Sequence, residues 1–104
     1  MATTRVQHVV SGGPDGEVAY VVEVVDGAVV STSLGADDTA DLTLAERHDD
    51  AAKVAAGELG LDDAFMRGRA KLTGSMGTFM TLLPVFRSDA YRAAQAGALG
   101  GAGT

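Results

Sequence analysis

Alternation of apolar and polar residues through the first half of the chain predicts β-strands. In Glu17–Val25, for example, every second residue from Val18 to Val24 is apolar and falls on one face. Asp26–Gly27 follows directly, and this dipeptide favours a two-residue hairpin turn. The pattern therefore predicts three antiparallel strands in a meander, followed by one more short strand. These strands are expected at about residues 5–10, 17–25, 28–34 and 41–45.

The period of the pattern changes to that of helices after Ala45. Acidic residues near the start of Arg47–Leu59 and a glycine near its end match the preferences of helix termini. Helices are expected at about residues 47–56, 62–67, 75–83 and 88–96, a fifth strand at 69–73 and a flexible tail at 97–104. The order predicts one α+β domain over residues 1–104, with a five-stranded, mainly antiparallel sheet and helices packed on one face.

The segment Gly74–Phe86, GSMGTFMTLLPVF, is apolar over most of a helical circumference. At roughly 100° per residue one stripe gathers five side chains, which are Met76, Phe79, Met80, Leu83 and Phe86. Pro84 is expected to bend or end this helix near Leu83. A helix that is apolar nearly all round must be covered on most sides. A second helix, a partner chain or an apolar ligand could supply the cover, and an ordinary core role remains the simplest alternative.

Charge and composition exclude several classes of function. The chain has 104 residues, a net charge of −6 and no cysteine. Clustered basic residues are needed to bind a phosphate backbone or anionic lipid, so neither nucleic acid nor stable membrane anchoring is expected. The missing thiols exclude disulfides and thiolate catalysis. The N-terminus shows no signal pattern, and no apolar run approaches the ~20 residues of a membrane span. A cytoplasmic location is the default expectation.

Candidate catalytic groups are sparse. His8 lies on an apolar strand face, where a histidine is more often satisfied within the fold than catalytic. His48 and the three Asp-Asp pairs fall in loops or at predicted helix starts, where they are explained by capping and solvation. No spacing typical of a metal site or a phosphate-binding loop occurs. We therefore expect no cofactor, no metal, no catalytic residue and no enzymatic activity.

The second half of the chain resembles the sterol carrier protein type 2 (SCP-2-like) lipid-transfer domain. The resemblance rests on the strand DLTLA, the helix end AAGEL, and DDAFMRGRAKLTGSMGTFMTL at Asp62–Leu82. It extends over about Val6–Phe86, without the helices that usually precede the first strand in that family. It implies an apolar cavity between sheet and helices that binds fatty acids, acyl-CoA esters, phospholipids or sterols without catalysis. The missing helices lead us to expect a more open groove or cover from a second subunit.

Family positions, together with the inward faces of the predicted strands, imply a set of lining residues. From the sheet these are Val22, Val24, Leu42, Leu44 and Leu72; from the turn after the first helix Phe65 and Met66; and from the last apolar helix Met76, Phe79, Met80 and Leu83.

The leading hypothesis is thus non-catalytic binding or transfer of a lipophilic small molecule. The main alternative is an interaction module, in which the apolar face of helix 75–86 forms a homodimer or docks onto a larger enzyme. A weaker alternative is a small enzyme for a hydrophobic substrate, with His8 or Tyr20 as the polar participant.

Overall fold

The structure is a computed structural model that describes residues 3–14 and 16–103. Within these residues there are five strands and five helices, in the order β-β-β-β-α-α-β-α-α-α. The strands are β1 (Thr3–Gly13), β2 (Gly16–Val25), β3 (Ala28–Leu34), β4 (Leu42–Arg47) and β5 (Ala70–Gly74). The helices are α1 (His48–Ala55), α2 (Leu61–Met66), α3 (Met76–Thr81), α4 (Leu83–Phe86) and α5 (Asp89–Gly103).

The sheet has the strand order β3-β2-β1-β4-β5. The predicted meander is confirmed, since β1 pairs with β2 and β2 with β3 in antiparallel register. In contrast, β1 and β4 are parallel, so the chain must cross the sheet between β3 and β4. The crossing loop is fixed to β1: the Arg5 amide donates to the Asp41 carboxylate (2.8 Å) and the Asp37 amide to the Gln7 side-chain oxygen (2.8 Å).

The two faces of the sheet differ because side chains alternate along each strand. Even-numbered positions in the middle of β1 and β2 and along β4 face the helices and are buried, among them Val6, Val22 and Leu44. Odd-numbered positions, such as Arg5 and Gln7, lie on the opposite face, which the crossing loop partly covers. An antiparallel-rich sheet with one packed and one polar face is the α+β arrangement that the alternation predicts.

The apolar segment after β5 forms two short helices instead of one. Ser75 caps α3, its hydroxyl accepting a hydrogen bond from the Thr78 amide (3.2 Å). The break falls at Leu82, ahead of Pro84, which occupies the first turn of α4. The buried stripe is Phe79, Leu82 and Phe86, whereas the predicted stripe had Met76, Met80 and Leu83 beside Phe79 and Phe86.

The predicted flexible tail at 97–104 is wrong for residues 97–103, which continue α5. Ala98 is buried and Leu99 packs against the core, so tertiary contacts hold a segment whose glycines disfavour a helix. Thr104 lies outside the described residues. At the other end of α5 Ser88 caps the helix, because its hydroxyl accepts a hydrogen bond from the Tyr91 amide (3.2 Å).

Gly74 joins β5 to α3 in a conformation that only glycine adopts readily. Its φ is +119°, and an added Cβ would lie 2.6 Å from the Asp41 carbonyl oxygen. We expect Gly74→Ala to lower the free energy of unfolding by at least about 1–3 kcal/mol. Gly77→Ala, in α3, is the matched control and should be neutral or stabilising by up to about 1 kcal/mol. Urea unfolding measures both, and equal effects would contradict this account of the joint.

Candidate functional site on the helix-covered face

A chain of buried hydrogen bonds runs through the middle of the covered face. The His8 side chain, on β1, is fully buried. Its Nδ1 lies 2.5 Å from Glu46 Oε1 on β4, and its Nε2 lies 2.6 Å from the Tyr91 hydroxyl on α5. Both ring nitrogens are therefore engaged. This confirms the interpretation of His8 as a satisfied interior histidine.

Two further polar side chains complete this cluster. The Tyr20 ring, on β2, stacks on the His8 imidazole with the ring centres 4.7 Å apart and the planes within 8°. Gln95 follows Tyr91 by one turn of α5 and is also buried. We call these five residues the polar cluster: His8, Tyr20, Glu46, Tyr91 and Gln95.

Part of the polar cluster lacks hydrogen bonds. Among the described residues, no hydrogen bond of good geometry is found for the Tyr20 hydroxyl, for Glu46 Oε2 or for either amide atom of Gln95. The Tyr20 hydroxyl and the Gln95 amide nevertheless lie close enough for an interaction between them to act on the pKa of Tyr20. A buried polar atom without a partner costs roughly 1–3 kcal/mol of stability. Such atoms are uncommon in folded proteins, and each calls for a physical explanation.

Both tyrosine hydroxyls are held in the neutral form. Burial raises the pKa of Tyr20, the Glu46 carboxylate raises it further, and the Gln95 amide beside it acts in the opposite direction. Burial raises the pKa of Tyr91 well above its usual range, and Tyr20 and Glu46 add to the effect. Each phenol is therefore available as a hydrogen-bond donor at neutral pH.

Aromatic rings connect the polar cluster to α3 and α4. Phe79 contacts Phe65 and Phe86, with ring centres 5.1 and 5.4 Å apart, and Phe86 meets Tyr91 edge-on at 5.0 Å. Large rigid rings gain more from burial than flexible thioethers do. We attribute to this row of rings the rotation that turns Phe79, instead of the methionines, toward the sheet.

The structure separates the predicted lining residues into three groups. Buried on the covered face are Val22, Val24, Leu42, Leu44 and Phe79. Phe65, Leu72 and Leu83 are half-buried and pack at the edge of the core. Met66, Met76 and Met80 lie at the surface, with 80%, 47% and 55% of their area exposed. These three therefore do not line the interior in this structure, and ligand contact by any member of the set stays a prediction.

A surface groove of about 630 Å³ opens between the helices after β5 and the β2 side of the sheet. Its apolar walls are Val24, Leu82 and Val85, and Thr78 and Thr81 lie on its rim. We call it the α3–α4 groove. A smaller groove of about 330 Å³ lies between β3 and α5, lined by Thr32, Leu34, Ala93, Ala94, Gly97 and Ala98. We call it the β3–α5 groove.

The sequence did not lead us to expect three of the interior residues, which are Glu46, Tyr91 and Gln95. The predicted fourth strand ended at residue 45, one position short of Glu46, which continues the inward series of Leu42 and Leu44. Extending the alternation would have found it. Tyr91 and Gln95 are four residues apart on one face of α5, a spacing that was visible in the sequence.

The fold and this interior define a class of protein: a small α+β domain whose helices cover a largely apolar sheet face. In comparisons with known proteins, residues 3–87 match the SCP-2 sterol transfer family. The chain belongs to this family, which confirms the resemblance seen in the sequence. Membership supports lipid binding or transfer as the general function. A comparison with curated proteins found no match.

Solved structures share the fold at low sequence identity. Palmitated SCP2L2 from Aedes aegypti superposes with a TM-score of 0.68 and 17% identity, covering 84% of this chain and 75% of its own. The sterol carrier protein domain 2 of Helicoverpa armigera gives 0.64 and 25%, with coverages of 83% and 68%. The sec-alkylsulfatase Pisa1 from Pseudomonas sp. gives 0.59 and 20%, with coverages of 83% and 13%. The fold therefore also occurs as a small part of an enzyme chain.

Neither a membrane-spanning helix nor a metal-binding group is found among the described residues. None of the helices there is long and apolar enough to cross a membrane. Within the same residues, His, Asp and Glu side chains form no group of three that could hold a metal ion.

The buried phenols predict a loss of stability at alkaline pH. Below pH ~10 both are protonated in the folded and unfolded states; above it the unfolded chain releases protons that the folded chain retains. The free energy of unfolding should therefore fall by up to about 1.4 kcal/mol per pH unit for each tyrosine. Tyr20 and Tyr91 are the two tyrosines of the chain, so tyrosinate absorbance reports on them alone. It should rise together with unfolding, and ionisation in the folded protein near pH ~10 would contradict the prediction.

Proposed function

We propose that this protein binds a lipophilic small molecule without catalysis, holds it between the sheet and the helices after β5, and carries it between environments. The observation that carries the proposal is the α3–α4 groove, which combines apolar walls with polar lining from Thr4, Asp26 and Ser75, in a chain of the SCP-2 sterol transfer family. Two similar structures are a palmitated protein and a sterol carrier protein domain, which points to fatty acyl or sterol-like ligands.

Burial of apolar surface supplies the affinity in this proposal. Each methylene group transferred from water into the groove contributes about 0.8 kcal/mol. Val24, Leu82 and Val85 offer branched aliphatic walls, which accept chains and rings with little discrimination.

A non-catalytic role is consistent with the chemistry of the interior. His8 is the strongest candidate for acid–base work in the covered face, and both of its nitrogens are already bonded within the fold. A general base must reach a substrate proton, which this imidazole cannot do while Glu46 and Tyr91 hold it.

A second candidate function, docking to a protein partner or to another copy of this chain, is favoured by the exposed methionines. Met66, Met76 and Met80 belong to α2 and α3, which are joined by the contact between Phe65 and Phe79. Methionine adapts its shape to different partners, so an exposed group of this kind suits an interaction surface. Sedimentation over a range of concentrations tests self-association, which Met66→Gln together with Met80→Gln should weaken.

Val85→Gln and Met76→Gln form a matched pair for the carrier proposal. Val85 is a half-buried wall of the α3–α4 groove, whereas Met76 is exposed at the start of α3. The polar amide at position 85 should weaken binding of NBD-labelled stearate about five- to twenty-fold, because a polar group in the groove must give up water. Met76→Gln should leave the affinity within about two-fold. Fluorescence titration measures the affinity, and urea unfolding monitors stability.

If Met76→Gln weakens binding as strongly as Val85→Gln, the lining set from the family resemblance describes the site better than the groove. If the wild-type protein shows no saturable binding of NBD-labelled stearate, the carrier proposal is overturned and docking becomes the better explanation.

A further inference from the structure

Within residues 3–14 and 16–103, β3 is an edge strand of the sheet and has a neighbour on one side only. The Gly35 amide donates to the Ala19 carbonyl oxygen (2.8 Å), next to the paired residues Tyr20 and Leu34. Residues along an antiparallel strand alternate between those that bond the neighbouring strand and those that do not. Leu34 and Thr32 therefore direct their amide and carbonyl groups away from β2. Six of the seven residues of β3 are exposed, so these groups are open to a further strand.

The two edges of the sheet differ in how they are protected. An open edge invites pairing with another chain, and proteins block it with charge, proline or a short strand. The other edge strand, β5, has five residues and carries Lys71. In contrast, β3 has seven residues without charge or proline. Its bulge, at Val30, lies near the β2–β3 turn and leaves Ser31–Leu34 in regular register with β2.

An uncharged surface surrounds the edge of β3. No charged residue occurs between Asp26 and Asp37, or after Arg92 in α5, the helix that packs over β3. The β3–α5 groove is accordingly lined by threonine, leucine, alanine and glycine. Leu34 is 60% exposed there, and Val30 is 53% exposed on the same strand. In a chain of net charge −6, an identical copy can approach this surface without meeting like charges.

From these observations we infer that β3 is an interaction surface for a second copy of this chain, in which two β3 strands pair antiparallel across a two-fold axis at Thr32. The pairing is self-complementary, because Thr32 faces its own counterpart and Val30 of each copy faces Leu34 of the other. The outward backbone groups of Thr32 and Leu34 then bond the second strand. This surface is separate from the exposed methionines of α2 and α3, and it does not rest on the carrier proposal.

Charge favours a second copy over an unrelated partner. A basic partner would find no carboxylate to bind between Asp26 and Asp37. An acidic partner would be repelled by the net charge of the chain. The chain's own β3 is neutral, matches the edge in length and supplies two exposed apolar side chains to cover the two that it meets.

The surroundings of β3 leave room for the second copy. After Leu34 the chain turns away from the edge, since Asp37 is bonded to Arg5 and Gln7 of β1. On the α5 side, the exposed residues that line the groove are Ala93 and Gly97, which have no long side chains to hold a second helix off.

The contact is small, because it consists of one strand and one side of a helix. Interfaces below about 1,200 Å² in total are characteristic of weak, transient complexes. By mass action we expect the monomer to prevail at about 10 µM and the dimer at about 1 mM. Sedimentation equilibrium of the full chain over this range measures the association.

Salt dependence separates this neutral contact from an ionic one. Two chains of net charge −6 repel each other, and salt screens the repulsion. Raising NaCl from about 20 mM to about 500 mM should therefore tighten the dimer at least about three-fold. Weaker association at high salt would show that ion pairs hold the dimer and would contradict the inference.

Thr32→Lys and Thr32→Glu test the two-fold axis. Thr32 is exposed, so both variants should keep the wild-type stability to urea within about 0.5 kcal/mol. Each variant alone should associate at least ten-fold more weakly, because like charges then face each other across the axis. An equimolar mixture of the two should regain association, since a lysine then faces a glutamate. Thr73→Lys, the same change at an exposed position of β5, is the matched control and should associate like the wild-type protein.

The inference is overturned if the wild-type protein stays monomeric up to about 1 mM. It is also overturned if the mixture of Thr32 variants fails to associate, or if Thr73→Lys weakens association as strongly as Thr32→Lys. Loss of association in Met66→Gln/Met80→Gln but not in Thr32→Lys would assign the dimer to the methionine surface and overturn the role of β3.

Discussion

The buried imidazole of His8 is the constraint on which the arrangement of this fold depends. A polar group removed from water must find partners, and His8 finds them in Glu46 of β4 and Tyr91 of α5. The central strand, its parallel neighbour and the last helix are therefore tied at one point. Removing Glu46 or Tyr91 would leave one ring nitrogen of His8 buried and unbonded, which costs more than the bond itself contributes. The Tyr20 ring stacked on the imidazole extends the constraint to β2.

The position of α5 determines how the other helices pack on the covered face of the sheet. Tyr91 receives the edge of Phe86, which in turn packs on Phe79, and Phe79 meets Phe65 of α2. This row of rings turns α3 and α4 so that Leu82 faces the sheet and the methionines face outward. The α3–α4 groove and the exposed methionines are consequences of the same rotation. A lipid site and a docking surface can therefore coexist on opposite sides of α3.

Much of the architecture was predictable because its signals are local. Alternation in Glu17–Val25 and the Asp26–Gly27 turn specify the β2–β3 hairpin. The segment AFMRGRAKLTGS contains much of the sequence pattern by which the family was recognised. The parallel pairing of β1 with β4 was not visible, since it depends on a crossing loop fixed by long-range bonds such as Asp37 to Gln7.

The candidate site was less predictable. Five apolar residues share a plausible stripe in Met76–Phe86, and only tertiary packing of aromatic rings selects Phe79, Leu82 and Phe86 for burial. The partnership of His8 with Tyr91 joins residues at opposite ends of the chain, so no local pattern could reveal it. The inward position of Glu46, in contrast, was present in the alternation of β4 and was missed because the strand was ended too early.

The helix-covered face of this sheet is proposed to hold a lipophilic ligand. Native mass spectrometry of protein purified without detergent, before and after organic extraction, tests it most directly. If the proposal holds, the protein is a monomer that carries discrete adducts of lipid mass, which extraction removes and added lipid restores. A bare monomer that takes up no added lipid, or a dimer free of adducts, would contradict the claim.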